Sequence, residues 1–466
     1  MQPHSNNLYK VDNMEANEDI DLIVNHPKKA INKLAVPIII SNLFMILNNI
    51  IDGIWVAGVG ANALAAIGFV TPLFLTLVGF ANGLGAGSNS LIARCIGAEK
   101  YEKAENSAIH SIMLSIIVTI ITTVLVLLIL KPLLYQMGAG EVINDASTYG
   151  YIIMAGCFSI FIPAMMSAIF RSQGEIKRAS YPLMYTAIIN MILDPIFIYI
   201  LNLGVAGAAI ATVIAATIPL FQMSYWMFIK RDSFLKINMS EYERDLNIYK
   251  DILVVGIPAS IEQFILAFVS ILTNYWLTLL SGTIAVASYT ATWRLLSIGF
   301  APLIGIGVAA LTVGGAAYGA KNYENMKIAE NYGIKIGLIS SVAICLICFT
   351  FAEPLSHIFA YSANSIILSQ RITEAIRILC FFILLMPFGI IAGNLFQSMG
   401  KGTIALFFTM LRALILEIIF AGLFGFVLGL KDVGIYAGLV CGMAAGSILS
   451  YLYLNFYLKK EREYFN

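Results

Sequence analysis

The chain has 466 residues, 59% of them hydrophobic and only 12% charged, with a formal net charge of +1 and a mean hydropathy of +0.84. A soluble domain carries roughly 45–50% apolar and about 25% charged residues, so a water-soluble fold is excluded and an integral membrane protein is indicated. The near-neutral balance gives no electrostatic pull toward nucleic acid.

Residues 1–32 are polar and mixed in charge, with Asp12, Glu15, Glu18, Asp19 and Asp21, and read as a flexible cytoplasmic tail. They lack the positive start and short apolar stretch of a secretory signal. Twelve apolar windows of about 20 residues follow. They cover 34–56, 63–91, 107–130, 149–170, 180–201, 205–229, 251–279, 284–314, 332–352, 374–396, 403–428 and 433–457. Of the 28 Lys and Arg, only Lys131, Arg371, Arg377 and Lys431 fall in one set of loops, and Arg294 and Arg412 lie within spans. The rest occupy the opposite loops and the two tails. Cations concentrate on the cytoplasmic side, so both termini are expected there, in a multi-pass protein of the cell membrane.

The chain repeats itself. Ala35-Val36-Pro37 opens the first span and Gly256-Ile257-Pro258 the seventh; Gly97-Ala98 and Tyr101-Glu102 return as Gly319-Ala320 and Tyr323-Glu324; Phe170-Arg171-Ser172-Gln173-Gly174 is echoed by Phe396-Gln397-Ser398-Met399-Gly400. The spacing is near constant and the order is kept. The expectation is an all-α membrane protein of twelve transmembrane helices in two pseudo-symmetric six-helix bundles of the same orientation, a common transporter plan. The halves are 33–229 and 251–458, joined by a basic cytoplasmic linker at 230–250 and followed by a tail at 459–466. Small residues at Gly83, Gly85, Gly87, Gly305 and Gly307 predict close helix approach. Cys345-Leu346-Ile347-Cys348 has CxxC spacing inside an apolar span, where small apolar packing residues are the simpler reading.

Two spans carry a carboxylate with an amide one turn earlier: Asn48 with Asp52 in the first, Asn190 with Asp194 in the fifth. Each pair shares a helical face. A charge within a bilayer span is costly, so such a residue is a functional candidate. Asp194 is followed by Pro195, which cannot donate to the carbonyl of Met191 and so makes a kink or frees a ligand. Asp52 lies nearer a helix end, where a snorkelling role also fits. Thr212 in the sixth span and Ser167 in the fourth offer further hydroxyls. Such a set can load a proton, or hold Na+ through hard oxygens, in which case Asp52 and Asp194 are the metal ligands. The second half does not copy the pair, since Asp52 falls opposite Thr273. It carries Glu262, Arg294, Arg412 and Glu417 instead, with Arg412 and Glu417 read as a structural pair.

The chain resembles the multidrug and toxin extrusion (MATE) family of secondary transporters over nearly its whole length beyond the N-terminal tail. The residues that carry the resemblance are Ile51-Asp52-Gly53-Ile54-Trp55, Gly97-Ala98, Arg171-Ser172-Gln173-Gly174, Asn190 with Asp194-Pro195, and Gln397-Ser398-Met399-Gly400-Lys401-Gly402. The resemblance implies a V-shaped cavity between two bundles and export of organic cations or amphipathic drugs in exchange for H+ or Na+. It implies no enzymatic activity and no cofactor beyond the coupling ion. The family's ion cluster falls here on Asp52, Asn190, Asp194 and Thr212. Ser167 stands where an asparagine is common, and Glu262 is a loose counterpart of acids found in the seventh span of some relatives. A monomer is expected. A lipid-linked precursor flippase of related fold is the alternative, and it would call for a cationic cavity rather than acids in the first half.

Overall fold

The computed structural model describes residues 14–238, 240, 242–358 and 366–465, and they are mostly helical with no strand among them. A short helix, Met14–Asn25, precedes the membrane helices. These are α1 (Pro27–Ala57), α2 (Ala61–Gly97), α3 (Tyr101–Gln136), α4 (Ile143–Ala155 and Phe158–Ser172), α5 (Ile176–Pro195) and α6 (Gly204–Ser224). A single stretch, Leu246–Gly319, holds α7 and α8. It divides at Gly282, whose φ of 76° lies in the left-handed region that glycine adopts without Cβ strain. Then come α9 (Tyr323–Thr350), α10 (Ile366–Leu384 and Met386–Ser398), α11 (Gly402–Met410 and its continuation to 427) and α12 (Lys431–Lys460).

Among the described residues nine helices are long and apolar enough to span a membrane, and two bent pairs bring the number to 11. With the turn at Gly282 separating α7 from α8, twelve spans result. The fourth and tenth windows, expected as continuous, are bent by 41° and 40° where Gly156–Cys157 and Leu385 interrupt them. The apolar surface follows the bilayer. Ile117, Ile120, Ile121, Val124, Leu125 and Leu128 of α3 are all exposed, at helical spacing along one stripe. On a soluble protein such a patch would mark a partner or an aggregation site.

Residues divide into two compact units. The first is the described part of Met1–Asn25 together with Ile40–Ser260; the second is His26–Ile39 with Ile261–Asn466. So α1 and α7 each contribute their first turns to one unit and the remainder to the other.

In the first unit Leu130, Ile153, Phe161 and Val70 form a buried core. In lipid, apolar side chains gain little by leaving the solvent for one another, so close packing must hold the helices together. The α2 glycines serve this. A Cβ on Gly87 would sit 2.2 Å from the Ile252 carbonyl oxygen, and one on Gly83 2.6 Å from the Ser260 amide. The segment expected as a flexible tail is corrected in part: Met14–Asn25 is helical and buries Ile20 and Ile23, with Ile23 seated against Gly174. Residues 1–13 lie outside the described residues.

The linker is fastened to this unit rather than loose. The Phe234 and Leu235 amides donate to Glu175 Oε1 (3.1 Å) and Gln173 Oε1 (2.9 Å). The Lys236 amide donates to Glu105 Oε1 (2.8 Å), and the Asp245 amide to His110 Nε2 (3.2 Å). Arg178 bridges Glu175 (2.9 Å) and Asp232 (2.8 Å). Burial pushes the Glu175 carboxyl up to about 7 despite Arg178 and the Phe234 amide, with Asp19 and Asp232 adding to the rise.

The second unit is built around Leu296, Ile376, Leu379, Ile383 and Tyr436. Its α11 is threaded with π turns at Leu411–Glu417 and Leu423–Val427. Arg412 and Glu417 are five residues apart and would diverge on an α-helix. The wider i→i+5 turn brings them onto one face, where Arg412 Nη1 meets Glu417 Oε1 at 2.8 Å. The pairing expected of these two residues is thus present. Facing them, α12 presents Gly438, Gly442 and Gly446; a Cβ on Gly442 would lie 2.4 Å from Glu417 Cα. All six cysteines are free, and all but Cys441 are buried.

Candidate functional site

Three polar contacts sew α1 to α5. Ser41 Oγ donates to the Ser180 carbonyl (3.0 Å), Asn48 Nδ2 donates to Asn190 Oδ1 (3.0 Å), and Tyr199 Oη donates to the Trp55 carbonyl. On α1 these residues recur every seven positions, two helical turns, and so lie along one seam. The Trp55 and Tyr199 rings meet edge to face at 6.2 Å. Past Pro195, which supplies no amide hydrogen, α5 widens into a π turn, Ile196–Ile200, that carries Tyr199.

The acids hang from this seam. Asn190 Nδ2 donates to Asp194 Oδ1 at 2.8 Å, so Asn48, Asn190 and Asp194 form a directed chain of hydrogen bonds. Asp194 is fully buried and Asn190 is 3% exposed. Asp52, one turn beyond Asn48, brings its carboxyl to that of Asp194, side chain to side chain. Asp52 Oδ1, Asp194 Oδ2 and Asn48 Oδ1 are buried and receive no hydrogen bond from the protein. Oxygens of this kind only accept when ionised. A proton on one carboxyl would supply the donor the pair lacks, and a small hard cation would satisfy several of the oxygens together. Desolvated carboxylates side by side are costly without one or the other.

Asp52, Asn48, Asn190 and Asp194 are therefore brought together. Thr212 is half-buried on α6, and its hydroxyl donates to the Ala208 carbonyl of its own helix (3.0 Å). Ser167 is fully buried elsewhere: its hydroxyl donates to the Ala179 carbonyl (2.8 Å) and accepts from Arg171 (2.6 Å). Glu262 belongs to the second unit, where Gln397 Nε2 donates to it at 3.4 Å and Arg412 attracts its charge. One residue was missed. Tyr149, buried on the first segment of α4, interacts electrostatically with both Asp52 and Asp194. A tyrosine at the start of an apolar window reads as an interfacial anchor, and its burial where the first segment of α4 packs on α2, α3 and α6 is what the sequence does not announce.

With this geometry in hand, the chain can be set beside known proteins. A family model described as MatE matches residues 37–196 and 258–423. The chain is similar to the Multidrug export protein MepA of Staphylococcus saprophyticus, 25% identical over 424 residues, covering 90% of this chain and 92% of that one. It is also similar to the Probable multidrug resistance protein NorM of Thermotoga maritima, 27% identical over 366 residues, 76% of this chain and 77% of the other. Among solved structures, an outward-facing multidrug resistance MATE family transporter of the MOP superfamily superposes with a TM-score of 0.93 at 34% identity, over 96% of this chain and 99% of that one. A MOP superfamily transporter from Pyrococcus furiosus, described as having a binding pocket of reverse polarity, gives 0.92 at 34% identity, over 95% and 98%.

Proposed function

This chain belongs to the MatE family, and we propose that it is a secondary active antiporter of the cell membrane that exports organic cations and amphipathic drugs in exchange for H+ or Na+. The observation that carries this reading is the buried Asp52–Asp194 pair, held by Asn190 and Asn48 and left with acceptor oxygens only. The names of the relatives, multidrug export and multidrug resistance proteins, support the cargo class.

The cycle follows from charge. With the site open to the outside, H+ or Na+ neutralises the pair. That lowers the cost of enclosing α1 and α5 more tightly, weakens the hold on a cationic drug, and lets the site reopen inward to release the ion. Such a cycle needs the ion to bind one conformation better than the other, since equal affinity would drive nothing. Each coupling charge gains about 2.3 kcal/mol per 100 mV of membrane potential. Tyr149 would steady the pair, and Thr212, with lone pairs still open, would join when α6 moves. The concentration of cations in one set of loops supports a cytoplasmic position for both termini.

The test is efflux of a cationic dye from proteoliposomes, driven in turn by an imposed pH gradient and an imposed Na+ gradient, for the unmodified protein and Asp194→Asn. One gradient should drive the unmodified protein, and the variant should lose that drive. Dye movement that ignores both gradients in the unmodified protein would overturn the reading, and lipid flipping would become the activity to assay.

A further inference from the structure

The first unit holds a cavity of about 580 Å³ at the α1–α2 and α5–α6 turns, walled by Gly60, Asn62, Asp145, Thr148 and Asn202 among others. Its lining carries one carboxylate, two amides and a hydroxyl, with no Lys or Arg. The two helices that carry the carboxyl pair lead to the turns that wall this cavity, and the first turn of α4 closes it. In the turn that follows α1 its wall starts at Val59, seven residues past Asp52. Past α5 and its π turn it is met at Asn202, eight residues beyond Asp194. On α4, Asp145 stands one turn before Tyr149 and so shares its face; Asp145 is exposed to the cavity side, while Tyr149 is buried and senses both acids. The Trp55–Tyr199 clasp lies along α1 and α5 between the pair and the cavity.

We propose that this cavity is the vestibule through which the coupling ion reaches Asp52 and Asp194, and that Asp145 is the charge that gathers small monovalent cations there. The proposal rests on the antiport reading above. A cavity lined by one sign of charge raises the local concentration of the opposite ion. The amides and the hydroxyl suit a hydrated Na+ or a protonated water, which they can bind without stripping it. Asp145 is a positioning residue: it feeds the pair and does not replace it.

Two measurements decide it. In the first, Thr148→Cys, made with Cys441→Ser, is reacted from outside with a cationic and an anionic impermeant thiol reagent. The cationic reagent should react faster, and adding Asp145→Asn should lower the rate ratio by about two- to five-fold at low salt. A ratio that Asp145→Asn leaves unchanged, or a cysteine that neither reagent reaches, overturns the vestibule whether or not the protein transports. In the second, gradient-driven dye efflux is measured against concentration of the driving ion. Asp145→Asn should raise the half-saturating concentration about two- to five-fold with the maximal rate kept, and the shift should fade in high choline chloride. Asp145→Glu should restore it. Unchanged half-saturation, or a lowered maximal rate alone, refutes the role of Asp145. Asp194→Asn, run alongside, keeps the two readings apart: if that variant stays coupled, the carboxyl pair fails and the vestibule with it, whereas loss of coupling there with an Asp145→Asn that changes neither measurement overturns the vestibule alone.

Discussion

Replacing Arg412 by Met tests whether the second unit is held by its buried charges. Arg412 Nη1 sits 2.8 Å from Glu417 Oε1 and 3.3 Å from Met443 Sδ, and the two charged side chains are 15% and 4% exposed. Glu262 draws on the same guanidinium. Removing Arg412 therefore strands the Glu417 carboxylate and withdraws the charge that Glu262 faces, and breaking a buried pair in this way costs about 3–5 kcal/mol. Glu417→Gln strands nothing, because Arg412 can still donate to the amide oxygen and still faces the charge of Glu262. Its cost should be that of weakening one charged hydrogen bond, about 1–2 kcal/mol. Arg412→Met combined with Glu417→Leu should recover at least ~2 kcal/mol of the single loss, since an apolar pair replaces an orphaned acid. Denaturant unfolding in lipid-detergent micelles reads all three. If Arg412→Met costs no more than Glu417→Gln, or if the double variant is the least stable, the charge account of this unit is wrong.

Other consequences are direct. Ser167→Ala should cost about 1–2 kcal/mol of stability by orphaning Arg171 and the Ala179 carbonyl, and it should leave the ion dependence of transport unchanged; a shift in that dependence would return Ser167 to the ion site. Asn190→Ala removes the donor to Asp194 and the acceptor for Asn48, and should slow ion-driven efflux about ten-fold, as expected for a loss near 1.4 kcal/mol. Gly442→Ala forces a methyl against the Glu417 backbone, should cost about 1–3 kcal/mol, and should be non-additive with Glu417→Gln in the same unfolding assay. Glu175 binds its proton more tightly folded than unfolded, so its contribution is fully present below about 4.5 and is lost as pH rises through about 7. Thermal stability scanned from pH 4.5 to 7.5 should fall less steeply in Glu175→Gln; an equal slope would mean that Glu175 does not titrate in this window.

The spans were legible because a bilayer demands long apolar stretches. The doubling was legible because the turn residues at 97–102 return at 319–324. Asp52, Asn190 and Asp194 stood out for the same reason: polar residues in lipid need a purpose. What escaped lies in contacts between helices or in departures from the 3.6-residue period. Tyr149 is buried on another helix within electrostatic reach of the pair, and nothing in its own neighbourhood announces that. The Arg412–Glu417 pair was expected, but its geometry requires a π turn that periodicity does not foresee. Ser167 was a reasonable hydroxyl by position, yet its partners are Arg171 and a backbone carbonyl. The helix at Met14–Asn25 hid among acidic residues, though Ile20 and Ile23, three apart, are the stripe that docks it.

In the proposed cycle ion and drug compete through Asp52 and Asp194. The most direct measurement is the equilibrium Kd of a cationic drug for the purified protein, taken across pH at fixed Na+ and across Na+ at fixed pH. Antiport requires a coupling between the two ligands, commonly about 5- to 150-fold in affinity. Drug binding should weaken as one ion is added, and Asp194→Asn should abolish this dependence. A Kd indifferent to both ions in the unmodified protein, or a dependence that survives in Asp194→Asn, would contradict it.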